Sequence, residues 1–375
     1  MNTVDITSIG HQALWETFIV AALLGAIMQR TNFCTMGAIA DLFVMSDLSR
    51  LRQWALAIGI AILGVMFFSS AGLIDTSKTI YTSSKLMYLS ILVGSTLFGF
   101  GMVLASGCGS KTLVRIGGGN LKALIVFLVL GLIAYMTLRG FLAVIRINFL
   151  DSFFITLGSN QDLPSIVGSQ FALSRASAHL HLMLGLLVGG AFILFALLQK
   201  SFWTTRNMLA GFGVGLAICA VWWISGYLAF VAEDPNTLEE VFLVTNSGKM
   251  ESLSFVAPYA YFLDWLMFYS DTSKVLTIGV VAVVGMVCGS AAVAIASKTF
   301  RWESFVNAED TVNHMIGGAL MGFGGITALG CTIGQGLSGL STLSLGSFLA
   351  LPGFFLGAYL GLRYLQMRLA PNPCA

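Results

Sequence analysis

Six cysteines occur, at positions 34, 108, 219, 288, 331 and 374, and two of them share a setting. Residues 99–108 read GFGMVLASGC and residues 322–331 read GFGGITALGC, identical at six of ten places. Cys108 continues into Gly109, Ser110, Lys111 and Thr112, with Gly117, Gly118 and Gly119 close behind. Cys331 continues into Thr332, Ile333, Gly334, Gln335, Gly336, Leu337, Ser338 and Gly339. Glycine lets a backbone bend and leave a helix. The N–H groups freed at such a break attract an anion, and a thiol adds a weak S–H donor and a polarisable sulfur. The chemistry favoured is reversible contact with a soft, sulfur-containing anion. Its candidate contacts are Cys108 and Cys331 with Gly107, Gly109, Gly330, Thr332, Gly334 and Gln335.

Cys34 is a third candidate, in Gln29-Arg30-Thr31-Asn32-Phe33-Cys34-Thr35-Met36-Gly37, where Thr31 or Asn32 can cap a short helix. Cys219 and Cys288 fall inside apolar stretches and read as small buried hydrophobes, while Cys374 reads as a tail residue. The chain has no Cys-x-x-Cys pair, so zinc and dithiol redox patterns are absent and no metal or cofactor is expected. No Walker loop, dinucleotide fingerprint or pair of acids deep in an apolar segment appears.

The elements that must hold these cysteines are membrane helices. Of 375 residues, 57% are hydrophobic and 10% charged, with a mean hydropathy of +0.88. A water-facing surface needs about 25% charged residues, so the composition implies an all-α integral membrane protein. The net charge of +2 leaves no footprint for nucleic acid. Residues 1–15 lack lysine and arginine, hence a signal-peptide start. Nine spans are predicted: 14–29, 52–73, 86–106, 120–140, 179–198, 207–229, 274–297, 311–329 and 345–366. Shorter apolar pieces at 32–46, 108–119, 254–268 and 330–341 read as re-entrant half-helices, and 141–178 and 230–253 as exposed loops.

Arginine and lysine fix an orientation, because cytoplasmic loops are enriched in them. Arg50, Arg52, Lys111, Arg115, Lys122, Lys200, Arg206, Lys298, Arg301, Arg363 and Arg368 fall on one side, and the N-terminus on the other. Lys78, Lys85, Arg139, Arg146 and Arg175 oppose the rule. The spacing of 223 residues between Cys108 and Cys331 also carries the starts of spans 52, 86 and 120 close to 274, 311 and 345. One membrane domain over 1–375 is therefore expected, with inverted repeat halves of approximately 14–140 and 207–366. Cys108 and Cys331 would approach a central constriction from opposite sides, and Ala257 takes the place of Cys34 in the second half. His179, His181, His314, Asp264, Glu309 and Asp310 read as boundary residues, and Gly213, Gly215 and Gly285 as helix-packing positions.

The segments Phe33-Cys34-Thr35-Met36-Gly37-Ala38, Ser106-Gly107-Cys108-Gly109, Phe300-Arg301-Trp302-Glu303 and Gly330-Cys331-Thr332-Ile333-Gly334-Gln335-Gly336-Leu337-Ser338-Gly339 together resemble the YeeE/YedE family. This is the sulphur-transport family of bacterial inner-membrane proteins, and the match spans nearly the whole chain. The resemblance implies an hourglass of helices with re-entrant loops and a tight waist. It implies uptake of thiosulfate past three cysteines, which match Cys34, Cys108 and Cys331. It also implies a small cytoplasmic sulfur-carrier protein of the TusA type as partner. The loop 141–178 and Ser110-Lys111-Thr112 look like a variant branch. A selenium compound, sulfite or a persulfide is the alternative cargo, and a membrane thiol enzyme relaying sulfur the alternative class.

Overall fold

The computed structural model describes residues 6–170, 178–234 and 238–369. Fourteen helices follow one another: α1 (Ile6–Thr31), α2 (Thr35–Ala40), α3 (Ser49–Ser70), α4 (Tyr88–Leu104), α5 (Gly109–Gly117), α6 (Leu121–Arg139), α7 (Phe141–Ile145), α8 (Leu163–Gln170), α9 (Ala178–Leu197), α10 (Thr205–Trp223), α11 (Ala257–Met267), α12 (Ile278–Ala296), α13 (Ala308–Thr327) and α14 (Leu345–Leu369). Two two-residue ladders tie the loops together. In one, β1 (Lys85–Leu86) pairs antiparallel with β2 (Ile155–Thr156); in the other, β3 (Phe230–Val231) pairs antiparallel with β4 (Val241–Phe242). The protein is an all-α membrane protein.

Helix starts follow their capping residues. Asn120 accepts the Ala123 N–H at 2.9 Å, Thr204 the Asn207 N–H at 3.3 Å, and Asn307 the Asp310 N–H at 2.8 Å. Among the described residues, eight helical segments are long and apolar enough to cross a membrane. The ninth expected span, 311–329, coincides with α13, but Glu309, Asp310 and His314 in its first two turns keep it out of that set. The short expected pieces become α2, α5, α11 and a π-helical turn at Gly334–Gly339.

Packing falls into matched pairs. α4 lies on α14 as α13 lies on α6, and α1 lies on α12 as α10 lies on α3. At the centre α4 crosses α13 backbone to backbone and antiparallel. A Cβ on Gly101 would stand 2.7 Å from the Gly317 carbonyl oxygen, and one on Gly94 would stand 2.7 Å from that of Gly324. Such contact needs residues without side chains.

Two expectations are corrected. The stretch expected as an exposed loop over 141–178 is not a plain one in its described part, 141–170: it holds α7 and α8, and Gln161 and Asp162 are buried. The Gln161 carbonyl accepts the Leu345 N–H at 2.9 Å, which pins the segment beneath the start of α14. Polar composition concealed this: Gln161 Oε1 and Asp162 Oδ2 are buried while accepting the Gly346 and Ser165 N–H groups, at 3.2 and 3.0 Å. Cys288 is exposed on the outer face of α12, whereas Cys219 is buried with its thiol toward the Ile60 and Ala61 carbonyls. Cys374 and Arg175 lie outside the described residues.

Candidate functional site

Three chain breaks share one local form. Asn32, Ser106 and Leu329 each take a left-handed conformation, with φ of 56°, 57° and 60°. Two residues after each comes a cysteine: Cys34, Cys108 and Cys331. Leucine rarely adopts this region. The turns resemble helix C-caps, with the Gly107 N–H reaching the Met102 carbonyl and the Gly330 N–H the Gly325 carbonyl, both at 2.8 Å. Cys34 and Cys108 then N-cap α2 and α5. Sulfur takes the place of a capping oxygen twice: Cys34 Sγ accepts the Gly37 N–H at 3.4 Å, and Cys331 Sγ the Gly334 N–H at 3.3 Å. Cys108 Sγ instead meets the Ser110 hydroxyl at 3.4 Å.

The three breaks converge. Cys34 and Cys108 are side-chain neighbours, and the Thr332 hydroxyl lies near the Cys108 sulfur. Cys331 is close enough to Cys108 to interact electrostatically, and Tyr259 stands near both. Cys108, Cys331 and Thr332 are fully buried, and Cys34 is 9% exposed. The Thr35 hydroxyl is buried without a hydrogen-bond partner among the described residues, and that of Thr332 has only the Cys108 sulfur beside it. Buried hydroxyls are normally paired, so an open hydroxyl and one held only by sulfur, beside the thiols, fit a polar guest.

The surrounding wall is rigid because its polar groups are used up. Tyr259 Oη donates to the Gly109 carbonyl at 2.5 Å. Gln335 Nε2 donates to the Ala328 carbonyl at 2.7 Å, and its Oε1 accepts from Ser347 Oγ at 2.5 Å. Ser338 Oγ reaches the Leu253 carbonyl, Ser344 Oγ the Tyr81 carbonyl, and Trp222 Nε1 the Ser341 hydroxyl. Irregular backbone at membrane depth requires internal satisfaction of this kind.

A cavity lies on each side of the thiol layer. One, of about 170 Å³, is lined by Tyr81, Arg146, Glu251, Tyr261, Leu329 and Gly330 among others. Burial holds the Glu251 carboxyl above the usual carboxylate range. Arg146 is paired with Asp151 at 3.5 Å, and its Nε has no partner among the described residues. The other cavity, of about 700 Å³, is lined by Arg30, Asn32, Arg115, Asn120, Arg301 and Glu303 among others. None of the three cysteines lines either cavity, although Gly330 borders the first and Asn32 the second.

Of the residues chosen from sequence, Cys34, Cys108, Cys331 and Thr332 are brought together, and Gly107, Gly109, Gly330, Gly334 and Gln335 flank them along the chain. Gln335 differs from the rest, since both ends of its amide are engaged by the protein. Sequence reasoning missed Thr35, Tyr81, Tyr259 and Lys111. A cue existed for Thr35 and Lys111, each beside a chosen cysteine; Tyr81 and Tyr259 sit where no motif marks them. His314 is buried with its Nδ1 3.0 Å from the Asp310 carboxylate, so it belongs to the α13 entrance and not to this layer. Among the described residues no cluster of metal-ligating side chains forms.

Comparison with known proteins bears on this layer. A family model described as sulphur transport matches residues 30–360. The thiosulfate transporter TsuA of Escherichia coli (strain K12) is 28% identical over 349 residues, covering 91% of each chain. The thiosulfate transporter TsuA of Spirochaeta thermophila is 25% identical over 346 residues, covering 92% of this chain and 96% of that one.

Proposed function

Because the chain belongs to the sulphur-transport family, we propose that it imports thiosulfate across the bacterial inner membrane through the thiol layer. The single observation that carries this reading is three buried cysteines between two cavities, with the unpaired Thr35 hydroxyl and the Thr332 hydroxyl beside them. The likeness to two thiosulfate transporters over nine-tenths of the chain supports the cargo.

Thiosulfate enters the smaller cavity from outside and loses water at the Gly330–Cys331 turn. It then passes from Cys331 to Cys34 and Cys108 by S–H···S and S–H···O contacts. Backbone N–H groups around Gly107, Gly109, Gly330 and Thr332 and the two threonine hydroxyls assist. Each contact is weak, because tight binding at a constriction traps the solute. The larger, arginine-lined cavity is the cytoplasmic exit, in keeping with the excess of basic residues there. The matched packing of α4 with α14 and of α13 with α6, and the antiparallel α4–α13 crossing, support inverted repeat halves. Gln335 acts by bracing the turn.

Moving a dianion inward against about 100 mV costs about 4.6 kcal/mol. Rapid consumption inside by a sulfur-carrier protein of the TusA type would offset that cost. The chain itself acts as a transporter and not an enzyme. The rival reading, a sulfur relay between Cys108 and Cys331, lacks a Cys-x-x-Cys pair and predicts a trapped persulfide or disulfide visible by mass spectrometry.

The test is growth on thiosulfate as sole sulfur source, in an uptake-deficient bacterium, with and without this chain. Growth only with the chain is expected. Growth restored by sulfite but not by thiosulfate, or chain-dependent uptake of radiolabelled selenite without uptake of thiosulfate, would reassign the cargo.

A further inference from the structure

Most basic side chains at the wide cavity's end are committed. Arg115 Nη1 donates to the Ala105 and Ser106 carbonyls, each at 3.2 Å, and Arg206 Nε to the Thr31 carbonyl at 3.1 Å. Arg50 is paired with Asp41 at 3.2 Å and Lys122 with Asp310 at 2.7 Å. Lys111, like Arg30 and Arg52, has no carboxylate partner among the described residues, but of these three it is the one beside the thiols. It leaves the first turn of α5, three residues after Cys108, and its stem lies against Gly107. Its Nζ reaches the neutral Asn32 Oδ1 at 3.4 Å, and no carboxylate lies within ion-pair distance among the described residues. The ionisable groups around it are the Cys34 and Cys108 thiols and two further cations, Arg115 and Arg50.

Lys111 is half-buried and its ammonium still meets water, so it can meet a hydrated anion while its neighbours are thiols and like charges with no carboxylate to neutralise it. Its position is equally specific, because Asn32 lines the wide cavity while Cys34 and Cys108 form the thiol layer. Lys111 therefore occupies the step between the two.

We propose that Lys111 is the release-side binding residue for the transported anion, and that it sets a preference for divalent over monovalent sulfur anions. The proposal rests on the transport reading above and deepens it. As the dianion leaves the paired thiols, the ammonium supplies the countercharge that they lack. The lysine is a point charge on a flexible stem, so it follows the ion outward without the two-pronged grip of a guanidinium. The thiols select a soft sulfur and the lysine selects charge.

The test compares wild type with K111Q, K111M and K111R as monodisperse purified protein in liposomes. The probes are radiolabelled thiosulfate and methanethiosulfonate, which keeps a terminal sulfur on a sulfonyl group but carries one charge fewer. At sub-saturating concentration, K111Q and K111M should take up thiosulfate about tenfold more slowly than wild type, because the Coulomb term scales with the charge of the ion. Inhibition of that uptake by methanethiosulfonate should change much less, and K111R should keep most of the thiosulfate rate. Unchanged thiosulfate uptake in a folded K111Q or K111M would overturn the proposal, as would equal loss for both anions or equal loss in K111R. Wild-type liposomes that take up neither anion would instead sink the transport reading itself.

Discussion

At Cys331 the sulfur already accepts one backbone N–H, from Gly334 at 3.3 Å, and so do the residues around it find partners, although Thr332 has only the Cys108 sulfur. The wall of the thiol layer is thus braced while its lining stays open. Tyr259→Phe removes one of two hydrogen bonds at the Gly109 carbonyl, the other being that of α5, which costs about 0.5–1.5 kcal/mol. The expected result is a lower midpoint in thermal unfolding, with slower uptake but unchanged preference among anions. Gln335→Ala frees the Ala328 carbonyl and the Ser347 hydroxyl together and should cost at least as much. At this scale the sequence revealed the cysteines and their glycines through repetition. It hid Tyr81 and Tyr259, because a lone tyrosine far along the chain carries no sign of which carbonyl it will reach.

The helices were legible for a simple physical reason: lipid enforces long apolar runs, so most span limits read from hydropathy fall within a few residues of those observed. The short helices α2, α5 and α11 were legible too, as apolar runs of limited length. What escaped was the segment 141–170, whose buried Gln161 and Asp162 are polar and therefore resemble a wet loop. The α4–α13 crossing is the element on which the rest hangs. Gly101→Leu would drive a side chain into the Gly317 carbonyl, 2.7 Å from the first added carbon. Overpacking costs about 1–3 kcal/mol or more where backbone cannot yield. The variant should lose monodispersity in size-exclusion chromatography, whereas Gly158→Ala, in open space, should not.

Across the whole molecule, one small and one large cavity face each other through a closed thiol layer, and charge is distributed unevenly between them. Glu251 lines the smaller one with Arg146, Tyr81 and Tyr261. Its carboxyl is held above the usual range by burial, so its neutral form is the one the fold favours. The sign follows: this contribution to stability is complete below the ordinary carboxylate pKa and is lost as pH rises through the raised value. Glu251→Gln should therefore flatten the fall in thermal stability across that interval. Uptake should rise with outside acidity, since a neutral Glu251 no longer repels a dianion, and the Gln variant should abolish the rise. Neither the cavities nor this carboxyl's setting could be read from sequence, because both arise where segments far apart in the chain meet.

The most direct measurement is radiolabelled thiosulfate uptake into proteoliposomes holding Cys331→Ala or Cys108→Ala, each shown to be folded by its unfolding profile. Either change should slow uptake about tenfold or more, the worth of about 1.4 kcal/mol of lost contact at the narrowest point. Wild-type rates in both variants would contradict passage through the thiol layer.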